Sequence, residues 1–183
     1  STAGDINGDG FDDILVGADS ADPGGDSEAG ETFLVFGSGS GFAASLDLST
    51  LNGSNGFRLD GIDAGDYSGH SVNTAGDVNG DGFDDILVGA AGAALGINNG
   101  AGEAYVVFGS GSGFAAVLDL SALNGTTGFR IDGIDADDRA GYSVGTAGDI
   151  NGDGYADILM GAWVADPGGK NDAGETYVVF GGD

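Results

Sequence analysis

A block of residues returns three times at one spacing: GDINGDGFDDILVGA from Gly4, GDVNGDGFDDILVGA from Gly76 and GDINGDGYADILMGA from Gly148, a period of 72 residues. Other landmarks keep that period, including Phe36-Gly37, Phe108-Gly109 and Phe180-Gly181, and Gly56-Phe57-Arg58 with Gly128-Phe129-Arg130. Self-similarity on this scale means an array in which each unit buries apolar surface against its neighbours. The unit is therefore what the residues have to specify, and the chain of 183 residues is a short run of such units.

Within a unit, apolar runs are short and bounded by Gly, Asn and Asp, the pattern of strands joined by turns. The middle unit predicts strands near His70 to Ala75, Asp85 to Ala90, Glu103 to Phe108 and Phe129 to Asp132, with a short helical turn within Leu118 to Leu123. The run from Ile86 to Ala90 is apolar on successive residues, so both of its faces should be covered, as in a sheet stacked between two others. With 40 glycines against 2 prolines, the composition suits many tight turns. The fold class expected is all-β: blades of four antiparallel strands packed face to face as in a β-propeller. The chain supplies an arc of about two and a half blades, a partial blade over 1–68, a complete one over 69–140 and a partial one over 141–183. The first unit is read as beginning after its first strand and the last as stopping before its fourth.

Four Lys and Arg stand against 30 Asp and Glu, a formal net charge of −26. Nucleic acid is excluded as a partner, because phosphate recognition rests on clustered cations. No stretch approaches a membrane span, so membrane insertion is excluded as well. Mutual repulsion among so many carboxylates opposes a compact state unless the chain works in high salt or cations such as calcium neutralise it. The absence of cysteine removes disulfides and thiolate chemistry from consideration.

Each unit carries Asp-x-Asn-x-Asp-Gly-x-x-Asp, as Asp5/Asn7/Asp9/Asp13, Asp77/Asn79/Asp81/Asp85 and Asp149/Asn151/Asp153/Asp157. Alternate oxygen-bearing side chains converge on a point when the backbone curls, and Gly10, Gly82 and Gly154 at position 6 allow the curl. Calcium takes about 6 to 8 oxygens, and the side chains at positions 1, 3, 5 and 9 with the carbonyl of position 7 (Phe11, Phe83, Tyr155) would supply most of them. About three ions are expected, one per repeat. Position 8 is Asp12, Asp84 and then Ala156, whereas position 9 is always Asp, so position 9 is assigned as a ligand and position 8 as expendable. An EF-hand would need Glu at position 12 and a following helix, and Val16, Val88 or Met160 stands there inside an expected strand.

These residues resemble the FG-GAP repeat of integrin alpha-chain propellers and related bacterial repeats. The Phe-Gly pairs, the calcium loop and the Gly-Ala after each strand (Gly17-Ala18, Gly89-Ala90, Gly161-Ala162) carry the likeness, although Asp19, Ala91 and Trp163 replace the proline of the family motif. The resemblance covers nearly the whole chain and implies a seven-bladed propeller in the family, calcium on one face, an extracellular location, and adhesion or ligand binding through loops on the propeller faces.

The sole histidine, His70, is replaced one period later by Tyr142, which fits packing rather than catalysis. Repeated carboxylates fit metal binding better than an acid-base pair, which needs one isolated carboxyl with a raised pKa. Arg58 and Arg130 recur in GFRLDG and GFRIDG and are expected to pair with a nearby carboxylate such as Asp60 or Asp132. The least repeated segments are Asp19 to Ala29, Ala91 to Ala101 and Trp163 to Ala173, where variation would carry any binding, with Trp163 a candidate contact. The functional expectation is a non-catalytic calcium-binding extracellular recognition module, taking a protein or carbohydrate ligand. A self-assembling component joined through open strand edges and an accessory domain of a larger secreted enzyme are the alternatives.

Overall fold

The computed structural model describes residues 1–182, and its regular elements are twelve strands and four 3-10 turns. The first sheet holds β1 (Thr2–Gly4), β2 (Asp13–Ala18), β3 (Glu31–Val35) and β4 (Gly56–Asp60), each antiparallel to the next. The second begins with β5 (Ser68–Gly76), β6 (Asp85–Ala90) and β7 (Glu103–Val107). The chain then lays β8 (Val117–Asp119) parallel to β4 at the edge of the first sheet, and returns to add β9 (Gly128–Asp132) beside β7. The third sheet is β10 (Ala140–Gly148), β11 (Asp157–Ala162) and β12 (Glu175–Val179). The sheets form an open arc of propeller blades.

Strand β6 explains the stacking. It is buried at all six positions, and its alternating side chains feed two separate cores. Ile86 and Val88 join Leu15, Leu34 and Leu59 of the first blade, while Leu87 joins Ile158 and Met160 of the third. The next strand repeats the division, with Tyr105 and Val107 on one side and Ala104 and Val106 on the other. Each fully buried aliphatic side chain contributes about 1.5–3 kcal/mol. On the outer faces of the arc the equivalent positions are open, Ile14 at 44% exposure and Val178 at 44% against zero for Ile86 and Val106.

The Gly-Ala that ends each second strand has a steric reason. A Cβ on Gly17 would lie 2.0 Å from the Gly69 carbonyl oxygen, and one on Gly89 would lie 2.0 Å from that of Gly141. Backbones of adjacent blades therefore touch there, and only hydrogen fits.

Two expectations need correction. The first unit is not without its first strand, because Thr2–Gly4 pairs with β2 in the place that a nine-residue strand takes in the other units. The long connection of the middle unit does more than turn. It contains β8, which binds the neighbouring blade, before a 3-10 turn at Leu120–Ala122 whose start is capped by Asp119 accepting the Ser121 N–H at 2.8 Å. Parallel pairing with another unit leaves no period of its own in a three-residue segment, so nothing in the residues announces it.

Candidate functional site

The three Asp-Asn-Asp loops connect β1 to β2, β5 to β6 and β10 to β11, and so lie at one end of the sheets. In each, glycine at position 6 takes a left-handed backbone, φ 87° at Gly10, 89° at Gly82 and 96° at Gly154. That bend turns successive N–H groups inward. The Asp5 carboxylate accepts from Asp9 N–H at 3.0 Å and Gly10 N–H at 2.9 Å, Asn7 Oδ1 accepts from Asp9 N–H at 2.9 Å, and Asp9 Oδ1 accepts from Phe11 N–H at 3.0 Å. The other loops repeat the lacing through Asp77, Asn79 and Asp81 and through Asp149, Asn151 and Asp153. A strand follows every loop.

Position 9 is the buried member. Asp13, Asp85 and Asp157 are each 0–1% exposed. Asp85 accepts from Val78 N–H at 2.8 Å with one oxygen and from Gly109 N–H at 2.9 Å with the other, and Asp13 and Asp157 do the same with Ile6 and Gly37 and with Ile150 and Gly181. Burial pushes the Asp85 carboxyl up to about 7, against the pull of those two backbone donors, and Asp81 and Asp77 raise it further. Asp13 is raised to about 6 by burial, with Asp9 and Asp5 adding to the rise. A desolvated carboxyl beside two more carboxylates is a donor set short of positive charge, which a hard divalent cation fits chemically. Among the described residues, no group of three or more His, Cys, Asp or Glu side chains is gathered closely enough to hold a metal on its own.

Position 8 has a task that comparison of the repeats concealed. Asp84 N–H donates to the Asp5 carbonyl at 3.3 Å, and Asp84 Oδ2 accepts from Asp5 N–H at 2.8 Å, which ties the second loop to the first across the blade junction. Ala156 keeps the main-chain half of this link, donating to the Asp77 carbonyl at 2.9 Å. The Asp84 side chain thus adds a bond at the blade junction that Ala156 does without. Position 7 acts at the same junction, since the Phe83 ring lies against Gly8 and the Tyr155 ring against Gly80.

Arg58 pairs with Asp60 and also reaches Glu31 Oε1 at 3.3 Å, and Arg130 pairs with Asp132 and Glu103 in the same way. Both pairs lie within one blade. His70 Nδ1 stands 2.9 Å from Asp19 Oδ2 and its ring packs 4.6 Å from that of Tyr142. Trp163 is 56% exposed, at the end of the sheets opposite the loops. Among the described residues no helix is long and apolar enough to cross a membrane.

Residues 1–35, 68–107 and 140–179 match the FG-GAP repeat. The chain is 30% identical to integrin alpha-PS2 of Drosophila melanogaster over 97% of its own length and 11% of that protein, and 29% identical to integrin alpha-4 of Xenopus laevis over 90% and 14%. It is 30% identical to the phosphatidylinositol-glycan-specific phospholipase D of Bos taurus over 92% of the chain and 19% of that protein. The chain thus spans between about a tenth and a fifth of the length of these relatives. Three matches in register with the three blades place this chain in the FG-GAP repeat family.

Proposed function

We propose that this chain is a calcium-stabilised, non-catalytic recognition module that works outside the cell. The observation that carries the reading is the position-9 aspartate, buried in all three blades and tied to both its loop and the following Phe-Gly glycine. Asp5, Asn7, Asp9, Asp13 and the Phe11 carbonyl would hold one ion, with the equivalent sets from Asp77 to Asp85 and from Asp149 to Asp157 holding two more. The ion's contribution is charge neutralisation at the loops. Likeness to integrin alpha chains supports the adhesion class and the extracellular setting. Calorimetry in calcium and in chelator tests the reading: saturating ion should raise the melting temperature, a ligand at a hundred times its Kd adding about 2.7 kcal/mol per site. An unchanged melt overturns it.

A second reading, assembly with further copies, is favoured by the end faces. Inside the arc, the ring of Phe83 or Tyr155 covers Gly8 or Gly80, whereas Phe11 is 45% exposed and a Cβ on Gly152 would meet nothing within 4 Å. Phe11 of one copy would then cover Gly152 of another, head to tail, as Phe83 covers Gly8. Light scattering should show mass rising with concentration, and Val16→Asp should abolish the rise; a concentration-independent monomer overturns this reading. Likeness to a phospholipase D supports a third, in which the repeats accompany a catalytic domain. The full-length gene decides it.

A further inference from the structure

At the end of the blades opposite the carboxylate loops, a cleft of about 310 Å³ runs over all three blades. Among the described residues, it is where aromatic side chains in ring contact lie at the surface without joining either core. His70 opens it from β5, Tyr142 stands one period later on β10, and Trp163 follows β11; the ring centroids are spaced 4.6 Å and 5.2 Å. Asp19 and Arg139 flank the rings. Tyr142 is 41% exposed and Trp163 is 56% exposed.

The fold does not require these rings. The position of Trp163 is filled by Asp19 and Ala91 in the other two units, and that of Tyr142 by His70. A large exposed aromatic where the same backbone accepts alanine is a feature of the surface rather than of the core. The His70 ring is held by its contact with Asp19 at 2.9 Å, so the first ring of the series is oriented before any ligand arrives.

The chemistry selects among occupants. A cationic ligand would face the Arg139 guanidinium, whose nearest paired carboxylate, Asp137, is 3.9 Å away. An anionic ligand would face Asp19 and a chain of net charge −26. A neutral ligand with apolar C–H faces and many hydroxyls meets neither obstacle. Its faces lie on the rings, its hydroxyls donate to Asp19, and they accept from the guanidinium, which offers five N–H donors. The volume is at the lower end of the range of about 300–1,000 Å³ for small-ligand sites. We propose that the cleft between Asp19, His70, Tyr142 and Trp163 binds a neutral saccharide, stacking its pyranose rings along the aromatic series. The proposal rests on the recognition reading above and names the ligand class for it.

Trp163 is the only tryptophan of the chain, so its emission reports the cleft directly. The whole chain in calcium is titrated with cellohexaose, laminarihexaose, chitohexaose and a penta-lysine peptide, each to about 10 mM, a range that covers the weak affinities of single small sites. The expected result is a saturable shift of Trp163 emission with at least one hexasaccharide, weakened tenfold or more by Tyr142→Ala and by Arg139→Gln, with the calcium-dependent melt of both variants retained. No shift with any saccharide, a shift with penta-lysine alone, or full affinity in both variants overturns the proposal. A chain that melts higher in calcium but binds no saccharide loses this inference and keeps the calcium-stabilised reading; an unchanged melt removes that reading separately.

Discussion

The main-chain N–H of Gly109 donates to Asp85 Oδ1 at 2.9 Å, joining the Phe-Gly pair at the end of one strand to the last aspartate of a loop 24 residues earlier. The bond recurs from Gly37 to Asp13 at 2.7 Å and from Gly181 to Asp157 at 3.0 Å. The two motifs that mark each repeat are therefore halves of one device. The carboxylate satisfies buried N–H groups that would otherwise be costly, and the glycine lets the strand end approach the loop.

Gly109→Ala should break that approach. The added Cβ would lie 2.4 Å from the Asp84 carbonyl oxygen and 2.6 Å from Phe83 Cβ, so backbone must move in a packed region. A loss of about 2–4 kcal/mol is expected, within the range for strain and overpacking in cores. Urea unfolding checks it; a midpoint equal to that of the unaltered chain means the loop does not press on this glycine.

Asp84→Ala should cost stability that Asp12→Ala does not. Asp84 accepts the Asp5 N–H across the blade junction at 2.8 Å, whereas Asp12 is exposed on the outer face of the arc. Losing one such bond at a half-buried site costs about 1 kcal/mol. Asp85→Ala should in addition reduce calcium affinity far more than either, measured by isothermal titration, and equal reductions for Asp84→Ala and Asp85→Ala would undo the assignment of position 9 as a ligand.

The local code was legible in the residues, and the contacts between repeats were not. Strand β6 begins and ends where its apolar run does, Asp85 to Ala90, and the glycine bend of each loop follows from position 6 of the motif. Comparing units sets position 9 apart from position 8, and the structure shows that the aspartate present at every copy of the former is buried each time. It leaves the link from Asp84 to Asp5 unseen, since the substitution by Ala156 preserves the main-chain bond to the neighbouring blade and removes only the carboxylate one. A residue whose partner lies in the next repeat changes when that partner's surroundings change, which a comparison of positions within the unit cannot register. The parallel seat of Val117–Asp119 on β4 escaped for the same reason.

Asp66 gives the chain a pH-dependent weakness. It is 6% exposed, and burial, with Asp63 and Glu103 adding to it, raises its carboxyl to about 6, while the Asp63 N–H donates to it at 3.1 Å. Its folded pKa lies above the unfolded value, so the folded state holds the proton more tightly. That advantage is complete below about pH 4 and is lost as pH rises through 6. Asp66→Asn should therefore stabilise the chain by about 1–2 kcal/mol at pH 8 and by nothing at pH 4, since an amide still accepts the Asp63 N–H and bears no charge to desolvate. Melting of both chains across that range checks the sign; a difference that grows toward low pH refutes it.

The same motif position should respond unequally to the same substitution. A Cβ on Gly89 meets the Gly141 carbonyl oxygen at 2.0 Å, and backbone from the next blade cannot step aside without separating two sheets. A Cβ on Gly161 meets Ser143 Oγ at 2.4 Å, a hydroxyl on a single rotatable bond that can turn away. Gly89→Ala should thus cost about 3 kcal/mol or more and Gly161→Ala less than about 1 kcal/mol. Equilibrium unfolding of both variants checks the inequality: equal costs would mean that the Gly141 carbonyl does not hold its place against Gly89, and that the two sheets part there as readily as a hydroxyl turns.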